Sequence, residues 1–236
     1  MEPVTHPLDN PLFAALTGEQ AKFAVRHRDA IRYQPDIGPF CALPDEPSAD
    51  DWADAARLTP PGEVLVFLVP AAAPPAGWQV LAQRQGVQLV AEELQPAPDP
   101  EATPLTAADV PEMLELIERT KPGPFLPRTV ELGGYLGIRR EGRLVAMAGE
   151  RMRPPGFAEI SAVCTDEAWR GHGFAARLTR AVAAGITARG ETPFLHAVSE
   201  NVNAIRESRY RMTTPQIEEK RIGHKKAQRA QKKKNK

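Results

Sequence analysis

The stretch from Glu159 to Ala175 constrains the fold more than any other part of the chain. It begins as an apolar, β-branched run that predicts a buried strand, passes through a short polar loop, and reaches glycines that open a long helix. Glycine lets a backbone approach a ligand closely, and the first turn of a helix presents N–H groups without partners and a partial positive charge. This order of elements predicts an anion site suited to a pyrophosphate.

Two interpretations of these glycines are open. A glycine-containing turn can simply connect a strand to a helix, and the glycines alone favour that structural interpretation. No Gly-Lys-Ser/Thr follows, which excludes the Walker motif, and Gly171 and Gly173 lack the third glycine of the dinucleotide fingerprint. Arg170, beside the glycines, favours the functional interpretation because it can add a charge-assisted hydrogen bond to a phosphate.

The surrounding pattern predicts a mixed α/β sheet flanked by helices. A helix is expected from about Thr106, which is a candidate N-cap, and a second over Gly173–Arg189. Strands are expected at 135–139, 144–150, 158–165 and 194–198, with a further helix from Asn201. The order is helix, three strands, helix, strand, helix.

With these elements in place, the chain resembles the GNAT superfamily of N-acetyltransferases. Arg170-x-x-Gly173-x-Ala175 matches the family motif Arg/Gln-x-x-Gly-x-Gly/Ala between its fourth strand and third helix. The Asn-x-x-Ala element that often follows the next strand is present at Asn201. The resemblance runs from Leu105 to Arg206 and implies the acyl-CoA N-acyltransferase fold.

The resemblance implies an enzyme that transfers an acetyl group from acetyl-CoA to a primary amine of a small molecule or peptide by direct attack, without a metal. The residues implied in cofactor binding are Val163, Thr165, Arg170, Gly171, His172, Gly173, Phe174, Ala175, Asn201 and Asn203. The N–H of Val163 is the candidate donor to the thioester oxygen. Glu159 and Glu150 are the candidate catalytic bases, each with a solvated residue or an ion pair as the alternative. His196 is expected to be a satisfied structural histidine.

The family pattern breaks after Arg206. The tyrosine that can protonate the departing thiolate should fall at position 208, where this chain has Ser208, and Tyr210 lies two residues late, about 200° around a helix. Residues 207–236 hold eleven Lys or Arg against three Glu, a net charge of +8. We therefore predict a basic, disordered tail in place of the closing strands. It is either foreign to the fold or a natural basic extension.

Two other functions are open on this basis. If the closing strands are missing, the chain is a catalytically impaired acyl-CoA-binding protein that lacks a complete acceptor site. The lysine-rich end is compatible with non-specific attraction to nucleic acid. It contains no aromatic residue from 225 to 236, which disfavours reading of bases by stacking.

Composition and linkers predict three segments: an N-terminal α/β region over 1–100, the acetyltransferase domain over 101–206, and the tail over 207–236. The first is either a degenerate copy of the same fold or a cap on substrate access. The chain is 42% hydrophobic and 25% charged, which is ordinary for a globular protein. The longest apolar run, 64–73, is too short to cross a bilayer. We expect a cytoplasmic enzyme without membrane partners, and a homodimer is left open.

Overall fold

The protein is represented by a computed structural model that describes residues 6–60, 62–69, 74–91, 94–199, 211–212 and 217–224. Within these ranges, a nine-stranded mixed sheet forms the centre of the molecule and a three-stranded antiparallel sheet lies beside it. Helices flank the large sheet. The predicted fold class is confirmed.

Residues 103–198 supply five strands and two α-helices of this fold. The strands are β6 (Thr103–Leu105), β7 (Tyr135–Arg140), β8 (Arg143–Glu150), β9 (Phe157–Thr165) and β10 (Thr192–Val198). The helices, numbered after two in the first half, are α3 (Val110–Thr120) and α4 (Phe174–Ala188). Strand β6 was not predicted. The bounds of the other elements agree with the sequence pattern to within a few residues, because each has a clear apolar period and a turn or cap at its ends.

The first half departs more from prediction. Its helices are α1 (Pro11–Thr17) and α2 (Ala49–Arg57), and its strands are β1 (Ala24–His27), β2 (Ala30–Tyr33), β3 (Cys41–Ala42), β4 (Val64–Val69) and β5 (Trp78–Val90). The apolar positions of residues 11–26 predict one helix, which is too long, since Gly18 ends α1 and residues 24–33 form a hairpin. The sequence also predicts two strands, 79–81 and 87–93, with a turn at Gln85-Gly86 between them. That turn is wrong, because Gly86 pairs with strands on both sides within one continuous β5.

The large sheet runs without interruption through all three predicted segments. The remaining strands are β11 (Arg211–Met212) and β12 (Ile217–His224), and the strand order is β4-β12-β5-β10-β9-β8-β7-β6, with β11 paired to β5. Strand β5, from the first half, lies antiparallel beside β10, and β12 lies between β5 and β4. The predicted disordered tail is therefore wrong for Ile217–His224, because this segment has two strands to pair with. The boundary at residue 100 stays a prediction.

Two layers of apolar side chains position the site. One face of the sheet packs on α4, where Leu178, Val182 and Ile186 are buried against Ile160 of β9. The other face packs on α3 through Met113 and Leu116. Helices therefore cover β9 on both faces. Its residues differ from one another in whether their backbone groups pair with a neighbouring strand.

Candidate active site

Strands β9 and β10 diverge in the middle of the sheet. They pair in parallel from Phe157↔Thr192 to Glu159↔Phe194, and no later pair occurs among the described residues. Beyond that point β10 continues to pair with β5, while β9 continues beside β8 as far as Thr165. One edge of β9, from residue 160 to 165, therefore lines an opening and leaves backbone groups without a neighbouring strand.

A bulge changes the direction of β9 within this opening. Ser161 pairs with Gly149 and Cys164 with Met147, so two residues of β9 stand opposite one residue of β8. Ala162 takes a left-handed conformation, with φ of 53°, which is uncommon for a residue other than glycine. A bulge of this kind re-aims the backbone that follows it, and the next residue is Val163, the predicted oxyanion donor.

The predicted phosphate loop, Arg170–Ala175, leads into α4 and is called the phosphate loop below. Gly171 and Gly173 have φ of 83° and 71°, a region that side chains other than that of glycine rarely adopt. Gly173 is the N-cap of the fifteen-residue helix α4, and no side chain caps it. The N–H groups of the first turn of α4 therefore have no side-chain cap among the described residues, and the positive end of the helix dipole lies behind them.

The side chains of the loop leave this space accessible. The Arg170 side chain is 60% exposed, and its ion pair with Glu167 is long at 3.8 Å. The ring of His172 stacks on Phe174 at 5.6 Å, and its Nδ1 lies 3.1 Å from the carbonyl oxygen of Trp169. Arg170 is thus an exposed cation beside an uncapped helix, and the aromatic contact holds His172 to one side.

The residues present fit an acyl-CoA. Glycines and free N–H groups suit the pyrophosphate, and the unpaired edge of β9 offers backbone groups to the amide-containing arm. The hydroxyl of Thr165, at the end of that edge, is buried without a hydrogen-bond partner in the described part of the chain. A buried hydroxyl without a partner is costly unless a ligand or water satisfies it.

A buried polar cluster lies where the two strands part. We call Arg151, Glu159, His196 and Gln88 the apex cluster. Glu159 is 1% exposed, and its two carboxylate oxygens accept from Nε and Nη2 of Arg151 at 2.7 and 2.5 Å. Burial raises the pKa of Glu159, but the charges of Arg151 and His196 outweigh burial and bring it down to about 2. Glu159 is therefore an ionised carboxylate with both oxygens engaged.

Hydrogen bonds hold both ring nitrogens of His196. Its Nδ1 lies 2.8 Å from Glu159, and its Nε2 lies 2.9 Å from the side-chain oxygen of Gln88. The amide nitrogen of Gln88 donates at 3.0 Å to the carbonyl oxygen of Leu8. Both ring nitrogens are therefore engaged, as expected for a structural histidine, and His196 links the two halves of the chain.

The second candidate base is also engaged. Glu150 is buried, and its carboxylate accepts from Nη2 of Arg189 at 2.6 Å. The catalytic roles of Glu159 and Glu150 stay predictions, and this geometry favours the ion-pair alternative for both. Burial raises the pKa of Cys164 to about 11, so its thiol stays protonated and is no candidate nucleophile.

The sequence analysis did not identify Arg151 or Gln88. Arg151 could have been predicted, because β8 and β9 form a hairpin. Pairing the two strands in register places Arg151 opposite Glu159, and the N–H of Arg151 donates to the carbonyl oxygen of Glu159 at 3.0 Å. Gln88 had no such signal, because its neighbours lie far away in sequence. The left-handed conformation of Ala162 also had no signal in the sequence, because alanine rarely adopts it.

Several predictions fall on other residues. Asn201, Asn203, Ser208 and Tyr210 lie outside the described residues. The residues that the structure describes hold no group of three or more His, Cys, Asp or Glu placed to bind a metal. Of the helices within these described ranges, none combines the length and apolar character of a membrane span. Non-specific nucleic-acid binding and a homodimer stay predictions.

The comparisons with known proteins agree with this geometry. Residues 135–207 match the family described as FR47-like protein. A solved structure from Novosphingobium aromaticivorans, assigned to the GNAT family of acetyltransferases, is 38% identical, with a TM-score of 0.86 over 93% of this chain and 99% of that one. No curated protein sequence matches the chain.

More distant structures share the fold. A GCN5-related N-acetyltransferase from Kribbella flavida is 17% identical, with a TM-score of 0.54, covering 91% of this chain and 96% of that one. A GCN5-related N-acetyltransferase-like protein from Streptococcus suis is 13% identical, with a TM-score of 0.57, covering 89% and 92%. The near-complete overlap with the Novosphingobium protein shows that this chain belongs to the GNAT family.

Proposed function

We propose that this protein is an N-acetyltransferase that uses acetyl-CoA to acetylate a primary amine. The observation that carries the proposal is the junction of two features on one strand. The open edge of β9 leads through Thr165 into the uncapped N-terminus of α4. Together they offer one continuous surface to a ligand with an extended arm and a pyrophosphate at its end.

The chemistry requires few groups from the protein. The amine nitrogen attacks the thioester carbonyl carbon, a C–N bond forms, the C–S bond breaks, and the thiolate leaves. The oxygen carries negative charge in between, and the backbone N–H of Val163, next to the bulge at Ala162, is the candidate donor to it. The phosphate loop and the edge of β9 contribute binding and orientation, which lower the entropic part of the barrier.

We further propose that the amine loses its proton to solvent rather than to a carboxylate of the apex cluster. Both oxygens of Glu159 are occupied by cationic donors, and Glu150 is paired with Arg189. A base must hold a free lone pair within hydrogen-bond reach of the proton it accepts. A carboxylate with a pKa of about 2 is also a weak base at neutral pH.

The acetyltransferase interpretation is favoured over an impaired binding protein. That alternative assumed that no strand closes the sheet beyond β10. Here β5 and β12 continue it, and the same side of β10 that would be open is paired over five residues, from Phe194 to Val198.

Thiol release with acetyl-CoA and a panel of primary amines tests the proposal. We expect amine-dependent release of CoA thiol, with acetylated product of matching amount by mass spectrometry. The matched control uses the same panel with an Arg170→Ala variant, which should raise the KM for acetyl-CoA. Acetyl-CoA binding without turnover of any amine would favour the impaired protein, and absence of binding would contradict the proposal.

A further inference from the structure

The guanidinium of Arg151 is held along only one side. Its Nε and Nη2 donate to Glu159, and its plane lies over the ring of Phe40, with 4.4 Å from the guanidinium carbon to the ring centre. Its Nη1 has no hydrogen-bond partner among the residues that the structure describes, and the side chain keeps 12% of its surface exposed. The free side of Arg151 is therefore a fixed pair of donors, since the carboxylate and the ring prevent the fork from turning.

A second polar group beside it has no partner. The hydroxyl of Tyr135 is buried and makes no hydrogen bond within the described ranges. Phe125 packs edge-on against its ring at 5.5 Å, and the ring lies so close to Gly149 that a Cβ there would sit 2.3 Å from it. Gly149, which the Tyr135 ring covers, stands two residues before Arg151 in the chain. Burial raises the pKa of Tyr135, and the charge of Arg151 opposes this effect.

Arg151 shares its counter-ion. Glu159 is the one carboxylate that the described residues place against both Arg151 and His196. Another buried carboxylate, on Glu150, is already paired with Arg189. A buried guanidinium is costly unless a counter-ion accompanies it. The free side of Arg151 therefore favours a ligand that brings a negative charge.

We propose that the free side of Arg151 and the hydroxyl of Tyr135 bind a carboxylate of the acceptor, so that the substrate is an amine that also carries a carboxylate, such as an amino acid. This inference rests on the proposed function. A carboxylate is planar and accepts two parallel hydrogen bonds from a guanidinium fork. It can accept a third from a phenol, and its charge offsets that of the guanidinium. Glu159 is the last paired residue before β9 and β10 part, so the carboxylate site adjoins the opening.

Matched acceptors test this directly. The full chain is assayed with acetyl-CoA and sets that differ only at the carboxylate, such as leucine, leucinamide and isopentylamine, extended to other amino acids. We expect the amino acids to be preferred in kcat/KM by about ten- to hundredfold, the range of one bidentate charge-assisted contact. Binding of each acceptor to the protein with CoA is measured by calorimetry in parallel.

The variants separate recognition from structure. Tyr135→Phe keeps the packed ring and removes the hydroxyl, so we expect the KM for the amino acid to rise about fivefold. The KM for acetyl-CoA and for isopentylamine should not change. Tyr33→Phe is the matched control, because the Tyr33 hydroxyl already donates to Gln20 at 2.6 Å. It should lower stability without changing the preference for a carboxylate.

The outcomes are distinct. Equal turnover or equal binding of leucine and isopentylamine overturns the carboxylate site and leaves the proposed function standing. Absence of acetyl-CoA binding overturns the proposed function itself. The third outcome is a preference for succinyl-CoA over acetyl-CoA with no preference among the acceptors. It would show that Arg151 and Tyr135 bind a carboxylate of the acyl group, and it would overturn the assignment to the acceptor.

Discussion

The two ends of strand β9 use the same kind of backbone in opposite ways. At its closed end, residues 157–159, β9 pairs with β10 on one edge, and on the other the backbone of Glu159 bonds to Arg151 and Met152. The Glu159 side chain there is buried and hydrogen-bonded. At its open end, residues 160–165, one edge has no described neighbour, Ala162 is left-handed, and the hydroxyl of Thr165 lacks a partner. A paired end can hold charges that fix the fold, and an unpaired end can leave donors free for a ligand.

The largest effect is expected at the closed end. Glu159→Gln removes the carboxylate that Arg151 and His196 share and leaves the buried guanidinium facing an amide. We expect the free energy of unfolding to fall by about 3 to 5 kcal/mol, measured by urea denaturation. Glu167→Gln, at an 88% exposed side chain, is the matched control and should change it by less than about 0.5 kcal/mol. Similar losses in the two variants would remove the contrast between the ends.

Acid should weaken the same end. The pKa of Glu159 in the folded protein is about 2, below its ordinary value of 4.5. The stabilisation is therefore fully present above about pH 5 and is lost as the pH falls toward 2, in all about 3 kcal/mol. Unfolding free energies measured from pH 6 to 2.5 should fall less steeply in Glu159→Gln than in the wild type. Parallel curves would show that Glu159 is not the group concerned.

A smaller effect is expected between the two ends. A Cβ on Gly149 would lie 2.3 Å from the Tyr135 ring, so Gly149→Ala should cost about 1 to 3 kcal/mol and should raise the KM for a carboxylate-bearing acceptor. Gly185→Ala, inside α4 with no closer contact than 4.0 Å, is the matched control and should stabilise by about 0.5 to 1 kcal/mol. Thermal unfolding of both variants measures the difference. A neutral Gly149→Ala would mean that the ring is free to move.

The contrast also explains what the sequence could predict. The open end has local signals: glycines with positive φ, an arginine beside them, and a helix whose apolar period begins at once. The closed end depends on contacts between distant residues, such as Gln88 with His196, which no local pattern indicates. Glu159 was predicted as a base because its strand lines the cleft. Its ion pair with Arg151 becomes evident only once β8 is paired with β9.

The strand β12 shows the same limit. Its residues are charged and carry few apolar side chains, so composition alone favoured a disordered tail. Backbone hydrogen bonds to neighbouring strands stabilise this segment instead, since β12 has neighbours on both edges from Glu218 to Gly223. The β-structure is set by the partners β4 and β5, which lie more than a hundred residues earlier in the chain.

Binding of acetyl-CoA to Arg170→Ala tests the central claim most directly. Arg170 is exposed and makes only a weak ion pair with Glu167, so its loss should not affect folding. Arg26→Ala is the matched control, an arginine with a 51% exposed side chain and an equivalent pair to Asp29, far from the loop in sequence. We predict by calorimetry that Arg170→Ala weakens binding by about tenfold, the worth of one charge-assisted hydrogen bond, and that Arg26→Ala leaves it unchanged. Equal affinity in the wild type and both variants would contradict the placement of the pyrophosphate at the phosphate loop.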